Sequence, residues 1–194
     1  YALSKKRLHG RGFLMFFISF TMWFSAGMIP CYVVYKTLGL LDTRLGVLLN
    51  GAVSTFYVII MRTAFESVPS ALEESMKLDG ASDFQVLINC YLPLCVPTIM
   101  TLMLYYFVGR WNTYLWPMTI LKTETKVPLQ VVLKKLVVEM NGLFENMDNI
   151  DVSTMSKETI VYATMVVAVV PMLILYPFIQ KFFIKGVVVG AVKG

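Results

Sequence analysis

The stretch ESVPSALEESMKLDGASDFQVLINCYLPLCVP, residues 66–97, carries the signals of two short helices joined by a tight turn. Ser70 and Glu73 have the spacing of a capping box at the start of the first helix. Gly80 is expected to end that helix, because glycine adopts the left-handed conformation of a helix C-terminus without steric cost. Ser82 and Gln85 have the spacing of a second capping box. The sequence therefore predicts a stiff helix–turn–helix segment.

Each of these predicted helices is amphipathic, with apolar residues at helical spacing on one face. The apolar residues are Leu72, Met76 and Leu78 in the first helix and Phe84, Leu87, Ile88 and Tyr91 in the second. The residues expected to be exposed are Glu73, Glu74, Lys77, Asp79 and Asp83. The alternative interpretation is a solvated loop whose acidic residues only maintain solubility, but a flexible loop needs neither caps nor apolar faces.

On both sides of this stretch the chain is strongly apolar. Hydrophobic residues make up 57% of the sequence and charged residues 15%, whereas soluble domains have about 45–50% and about 25%. The uncharged blocks are residues 12–30, 45–61, 92–109 and 160–179. Because a membrane helix needs about 20 apolar residues, we expect an all-α polytopic membrane helical bundle. Its predicted spans are residues 12–30, 45–62, 91–121 and 159–183. The alternative is a large soluble helical core, but such cores have polar residues at every turn.

The distribution of basic residues predicts the orientation of these spans. A basic cluster, Lys5, Lys6, Arg7 and Arg11, directly precedes the first span and places that end of the chain in the cytoplasm. The helical loop, defined here as residues 63–90, is then cytoplasmic, and residues 122–158 are external. Lysines at 181, 185 and 193 lie at the end of the last span and beyond it, and they place that end in the cytoplasm as well.

The predicted external segment contains one regular feature. Apolar residues recur at helical spacing from Leu129 to Met140, and Lys134, Lys135 and Glu139 lie on the other face. We expect an amphipathic helix that packs on the outer surface or against the spans, with contact to a partner as the alternative.

Several classes of chemistry have no support in the sequence. It contains no phosphate-binding loop of the GxxxxGK[ST] type and no GxSxG or HExxH motif. Cys31, Cys90 and Cys95 have no CxxC spacing and predict neither a disulfide framework nor a metal site. The aromatic residues lie inside the apolar blocks, which disfavours nucleic-acid binding. We therefore expect no catalytic residues, no metal and no cofactor, and a lipid environment.

The helical loop resembles the cytoplasmic signature of binding-protein-dependent ABC importers. That signature has an EAA triplet, a glycine and an Ile-x-Leu-Pro at the spacing found here. Glu74, Ser75 and Met76 occupy the triplet, Gly80 the glycine, and Leu92 and Pro93 the closing pair. Cys90 replaces the usual isoleucine, and Ser75 and Met76 replace two alanines. The flanking residues, and the tail from Tyr176 through Gln180-Lys181-Phe182 to Lys193-Gly194, are similar to permeases for oligosaccharides or uronate-containing sugars.

This resemblance implies a single transmembrane domain over residues 1–194, with two further spans before Tyr1 in a complete six-span chain. It implies a second permease subunit, separate ATPase subunits that hydrolyse ATP, and an external or periplasmic binding protein that delivers the sugar. The loop would dock into the ATPase, with Glu74 and Gly80 in that role beside Glu73, Asp79 and Ala81.

A polar interruption of the third span is the expected sugar path. Arg110, Trp111, Asn112 and Tyr114 combine a cation, an amide and aromatic rings, which suit sugar hydroxyls and CH faces. A charge within a membrane helix usually faces a cavity or a partner. The alternative is the outer interfacial belt of Trp, Tyr and Arg, favoured for Trp116. Pro171 and Pro177 are expected to kink the last span.

The function expected from these features is translocation of a carbohydrate by a subunit that is not itself an enzyme. One alternative is an ABC permease for another solute class, because the loop signature is shared among such importers. Another is a membrane scaffold subunit. A membrane enzyme would need paired acids or a histidine cluster at membrane depth, and the sequence has neither.

Overall fold

The computed structural model describes residues 1–145 and 159–177, the side chains of residues 139–145 excepted. The helices are α1 (Arg11–Trp23), α2 (Met28–Thr37), α3 (Arg44–Leu49), α4 (Thr55–Glu66), α5 (Ser70–Leu78), α6 (Asp83–Val86), α7 (Leu92–Leu94), α8 (Val96–Trp111), α9 (Leu115–Ile120), α10 (Leu129–Glu145) and α11 (Thr159–Pro177). A π-helical turn, Leu87–Tyr91, joins α6 to α7, and short 3-10 turns occur at Ala2–Ser4 and Glu124–Lys126. No strand occurs in this part of the chain, so the predicted all-α class is confirmed.

Helix length and exposed apolar surface indicate a membrane environment. Within the described ranges, α11 is long and apolar enough to cross a bilayer alone, with a mean hydropathy of 2.2. The pair α1 and α2, and the pair formed by Asp83–Leu94 and α8, meet the same criterion as bent spans. Trp23 is 84% exposed and Phe13 72%, and α1 has no buried residue. Apolar surface of this extent is stable only against lipid or partner helices.

The second predicted span does not form one helix. Residues 45–62 are divided between α3 and α4 by a non-helical segment around Gly51, which has a φ of +67°. The second of these helices continues beyond the predicted end at Arg62 to Glu66. The absence of charge from residues 45–61 did not indicate this break, because Asn50 and Ser54 are polar but uncharged.

The third predicted span, residues 91–121, contains a bend and a break. The helix axis bends by 79° at Cys95, between Leu94 and Val96. Pro97 explains the bend, because it lacks an N–H donor and its ring would collide with the carbonyl of Pro93 in a continuous helix. The helical structure stops again between Trp111 and Leu115, where the interruption was predicted.

The chain folds into two compact units. Of the described residues, the first unit contains 1–27 and 51–105. Its core consists of the buried residues Phe65, Val86, Cys90, Tyr91 and Cys95, on which Met76 and Leu92 pack. The core of this unit is therefore built from residues of the helical loop and from Tyr91 and Cys95, which follow it.

The second unit contains the described residues 28–50, 106–145 and 159–177. Trp116, Ile120 and Leu121 form its core, and Tyr35 contacts Trp116 edge-on with 5.0 Å between ring centroids. The predicted amphipathic helix is confirmed as α10. Among its described side chains, residues 129–138, the buried one is Val131, which is not on the predicted apolar face of Leu129, Val132, Leu133, Leu136, Val137 and Met140. Residues 146–158 of the predicted external segment, and the tail from residue 178 onward, lie outside the described residues.

Asp42 fixes the connection between α2 and α3 within this unit. It has a positive φ of 54°, which few residues other than glycine adopt. Its carboxylate accepts hydrogen bonds from the backbone amides of Lys122 and Thr123, both at 3.0 Å, and from Lys126 Nζ at 3.0 Å. Hydrogen bonds from Thr123 and its neighbours hold the pKa of Asp42 far below its usual range.

Candidate functional site

The turn between α5 and α6 has the geometry that the sequence predicts. Gly80 has a φ of +83°, its amide donates to the Lys77 carbonyl at 3.0 Å, and the amide of Ala81 donates to the Met76 carbonyl at 2.9 Å. These are the two hydrogen bonds of a Schellman motif, which satisfies the last carbonyls of α5. A Cβ atom at Gly80 would have no neighbour within 4 Å, so a side chain there is opposed by backbone strain rather than by a collision within the chain.

The second predicted capping box is confirmed at the start of α6. The Ser82 amide donates to Gln85 Oε1 at 2.8 Å, and the Gln85 amide donates to Ser82 Oγ at 3.4 Å. This reciprocal pair fixes the start of α6 immediately after the Gly80 turn.

The first predicted capping box is wrong. Pro69 is the N-cap of α5, Ser70 is its first residue, and no side chain caps this end. The carboxylate of Glu73 instead accepts from Lys77 Nζ at 2.7 Å and from the Tyr91 hydroxyl at 2.8 Å, and it forms an ion pair with Lys5. Charged partners bind a carboxylate more strongly than a backbone amide does.

Glu73 is correspondingly not on the exposed face where the sequence analysis placed it. Its side chain is 13% exposed, and that of Lys5 is 12% exposed. Burial by itself would raise the pKa of Glu73, but hydrogen bonds from Lys5, Lys77 and Tyr91 outweigh it and lower the pKa from 4.5 to about 2. Glu73 is therefore ionised at neutral pH and belongs to the interior of the site.

The outer face of the helical loop combines acidic and apolar residues. Glu74, Ser75, Asp79 and Gly80 are exposed, and within the described part of the chain Glu74 has no hydrogen-bond or ion-pair partner. Of the other residues of the signature, Met76, Ala81 and Leu92 are half-buried, and Pro93 is exposed.

Part of the predicted apolar face points away from the core. Leu78 is 89% exposed, Phe84 69% and Leu72 43%, whereas Tyr91 is buried as expected. Met76 and Val86 supply the packing contacts of the loop instead. The exposed residues of the helical loop thus include the apolar Leu78 and Phe84 as well as the acidic Glu74 and Asp79, and exposed apolar side chains among polar ones are typical of a docking surface.

The predicted path residues lie where α8 ends. Arg110 is half-buried, Asn112 is exposed, and Tyr114 is 41% exposed with Lys134 Nζ 6.0 Å from its ring centroid. The indole N–H of Trp111 donates to the Ala168 carbonyl of α11 at 2.9 Å. Trp111 therefore joins two helices of the second unit, and its polar atom is already occupied.

Trp116 lies in the core of the second unit. It is only 8% exposed, and its indole N–H has no hydrogen-bond partner within the described residues. The sequence favoured a position in the outer interfacial belt for Trp116. In the structure, its ring is buried within the second unit and contacts the ring of Tyr35.

Sequence reasoning missed three residues that shape these regions. Lys5 was read only as part of a topology signal, and Tyr91 only as a member of an apolar face. Both contact Glu73, which is 68 residues from Lys5 and 18 residues from Tyr91 in the sequence. Local patterns do not extend over such separations. The third residue, Asp42, belongs to no motif of the sequence; the available signal is that aspartate is one of the few residues other than glycine that adopt the left-handed conformation.

Comparison with known proteins places nearly the whole chain in one family. Residues 4–189 match the family described as binding-protein-dependent transport system inner membrane component. The chain belongs to this family. A component of such a system resides in the bacterial membrane and works with a binding protein, and it is a transport subunit rather than an enzyme.

Two proteins of known name are similar to this chain over its full length. The polygalacturonan/rhamnogalacturonan transport system permease protein YtcP of Bacillus subtilis is 44% identical over 195 residues, which cover 100% of this chain and 68% of YtcP. Protein LplC of the same organism is 40% identical, with 100% of this chain and 66% of LplC covered. The chain thus spans about two thirds of the length of these relatives.

A solved structure is similar to the fold. A bacterial ABC transporter involved in the import of the acidic polysaccharide alginate contains a chain that is 42% identical, with a TM-score of 0.81. The match covers 94% of this chain and 65% of that one. The likeness confirms the helical membrane fold expected from the sequence.

Proposed function

We propose that this chain is the membrane-spanning permease subunit of an ATP-driven importer for oligosaccharides, delivered by an external binding protein. The observation that supports this function best is the outer face of the helical loop, with Glu74 exposed beside the Gly80 turn, in a chain similar to polysaccharide permeases. ATP would be hydrolysed by separate ATPase subunits, and a second permease would complete the pathway.

In this proposal the helical loop docks on the ATPase, and α5 and α6 transmit its movement to the spans. Stiffness is needed for transmission, and it comes from the Schellman turn at Gly80 and the capping box at Ser82. Docking needs a fitted surface, for which Glu74, Leu78 and Phe84 are exposed. The loop and both ends of the chain are then cytoplasmic, and residues 122–158 are external.

The proposed substrate class is supported by the names of the relatives. YtcP is named for polygalacturonan and rhamnogalacturonan, and the solved transporter imports alginate. Both groups of polysaccharides contain uronic acids, so acidic oligosaccharides are the first candidates. Arg110, Asn112 and Tyr114 are proposed to line part of the path, since they offer a cation, an amide and an aromatic ring at one point of the chain. Trp111 is proposed to support this region through α11.

The coupling proposal is tested with the full-length permease, reconstituted with its ATPase subunits and binding protein. Glu74→Lys reverses the charge offered to the partner, and Gly80→Val forces a β-branched residue into a left-handed backbone, at a cost of about 1–2 kcal/mol. We expect each variant to insert normally but to abolish oligosaccharide uptake and the stimulation of ATP hydrolysis by loaded binding protein. Basal hydrolysis by the isolated ATPase should be unchanged.

Ser82→Ala is the matched control, because losing one cap costs only about 1 kcal/mol and leaves the docking face intact. It should retain most uptake. Normal stimulation of hydrolysis in the Gly80→Val complex would disprove the coupling role of the loop. Uptake of an amino acid or a phosphorylated solute, without uptake of any oligosaccharide, would disprove the substrate class.

A further inference from the structure

The ammonium group of Lys5 lies at the centre of a shielded cluster in the first unit. It forms an ion pair with Glu73, donates to the Tyr91 hydroxyl at 2.6 Å, and lies 3.9 Å from the centroid of the Tyr91 ring. The partners come from distant parts of the chain, α5 and the π-helical turn. The cluster therefore holds the segment before α1 against α5 of the helical loop and against the π-helical turn that follows α6.

Aromatic packing extends this contact to the helix that enters the loop. The ring of Tyr1 lies 5.0 Å from that of Tyr91 and 6.1 Å from that of Phe65, both in edge-on geometry. Phe65 is near the C-terminal end of α4 and is 6% exposed. The contact of residues 1–10 with the loop is thus both ionic and apolar.

Two further ion pairs flank the cluster. Arg7 pairs with Asp83, the first residue of α6, and Arg11, the first residue of α1, pairs with Glu66 at the end of α4. Residues 1–10, here named the basic segment, therefore contact the loop along its length and continue directly into α1.

The ion pairs differ in their expected contribution to stability. Arg7 and Asp83 have side chains that are 55% and 57% exposed, and exposed pairs contribute little. Lys5 and Glu73 are shielded on both sides, and removing one member of a shielded pair leaves the other charge uncompensated. The Lys5–Glu73 contact is therefore the one on which the arrangement depends.

We propose that the basic segment is an internal brace that couples α1 to the helical loop, with Lys5 and Tyr91 as positioning residues for the outer face of that loop. A displacement of α5 is then transmitted to α1 through the Lys5–Glu73 contact as well as along the chain into α8. The inference rests on the proposed coupling function for its effect on transport, but the brace itself is a property of this chain.

The test compares Lys5→Met, Glu73→Gln and the double variant in the complete reconstituted transporter. Hydrogen exchange followed by mass spectrometry reports the order of residues 1–11 and 70–80, and oligosaccharide uptake is measured per assembled complex. Each single variant should raise exchange in both segments, and lower uptake, by about tenfold or more. The double variant should be no worse than the worse single one, because the two residues act through one contact.

Matched variants separate the brace from a general effect of charge or misfolding. Lys6→Met removes an exposed cation of the same segment that has no partner within the described residues, and it should leave exchange and uptake unchanged. Lys5→Arg keeps the charge and should retain most uptake. Tyr91→Phe removes only the hydroxyl and should raise exchange in the same two segments, by less than Lys5→Met.

Additive effects in the double variant, an equal effect of Lys6→Met, or increased exchange confined to the mutated segment would each overturn the brace. Wild-type uptake in Lys5→Met would overturn its role in transmission. If the unmodified transporter imported no oligosaccharide while the exchange of the two segments remained linked, the brace would stand and the proposed function would fail.

Discussion

Asn112 and Trp111 are neighbours in the sequence, but their side chains have different surroundings. The Trp111 indole stacks near Phe107, with 6.3 Å between centroids, and its N–H is bonded to Ala168. Asn112 is exposed. Its backbone amide donates to the Val108 carbonyl at 3.1 Å, and its side chain has no hydrogen-bond partner among the described residues. The two residues are therefore expected to respond differently to substitution, one through stability and the other through transport.

We predict that Asn112→Ala lowers oligosaccharide uptake without lowering the amount or thermal stability of the assembled complex. Trp111→Phe should instead reduce stability by about 1 kcal/mol, the usual contribution of one hydrogen bond. Uptake into vesicles and thermal denaturation of the purified complex measure the two effects. Unchanged uptake in Asn112→Ala would assign this residue to the outer interface and leave the path elsewhere.

At the scale of single residues, the sequence predicts what is local. Ser82 and Gln85 are three residues apart and their capping box formed as expected. Ser70 and Glu73 have the same spacing, but Glu73 is engaged by Lys5, which is 68 residues away, and by Tyr91. A pattern of four residues cannot show that a distant lysine will bind the same carboxylate. The sequence therefore predicted a helix cap at Glu73, where the structure has a tertiary ion pair.

At the scale of helices, the contact between α3 and α9 shows how the second unit packs. A Cβ atom at Gly46 would lie 2.4 Å from the Leu40 carbonyl oxygen and 3.3 Å from Ile120 Cδ1. The Gly46 amide is also bonded to Thr43 Oγ1, the N-cap of α3, at 3.0 Å. Only glycine fits this position without a shift of backbone.

We predict that Gly46→Ala destabilises the complex by about 1–3 kcal/mol, the range for overpacking a close contact. Gly12→Ala, in α1, is the control, because its Cβ would have no neighbour within 4 Å. Thermal denaturation of the two purified variants should separate them, with Gly12→Ala at or above the wild-type midpoint. Equal midpoints for Gly46→Ala and the wild type would show that the α3–α9 contact relaxes freely.

Helix existence was more predictable than helix continuity. Gly80 and Pro97 are strong local signals. Helix α5 ends just before Gly80, and the helical segment Asp83–Trp111 bends just before Pro97. The division of residues 45–62 into α3 and α4 was missed, because hydropathy reports the transfer of side chains into lipid and carries no information on backbone direction. The exposed Leu78 and Phe84 were also assigned to packed faces, since periodicity does not tell a core from a docking surface.

At the scale of the whole chain, the orientation in the membrane decides whether the helical loop can reach its proposed partner, the ATPase. Within the first unit, the ion pairs of Lys5 and Arg7 join the basic segment to the helical loop, and that of Arg11 joins the start of α1 to it. A basic flank and the loop are thus expected on the same membrane side, which the positive-inside rule makes cytoplasmic. Residues 122–158 should then face the binding protein.

This orientation predicts that Lys134 and Lys135 of α10 react with a membrane-impermeant amine reagent in intact cells, whereas Lys6 reacts only after lysis. All three side chains are exposed, so accessibility within the chain does not distinguish them and the membrane barrier decides the outcome. Lys135 should react more readily, because the Lys134 ammonium lies over the Tyr114 ring. Peptide mass spectrometry of the purified permease identifies the modified lysines. Labelling of Lys6 in intact cells, with Lys134 and Lys135 labelled only after lysis, would reverse the orientation. The helical loop would then lie outside, where no ATPase could dock on Glu74 and the Gly80 turn.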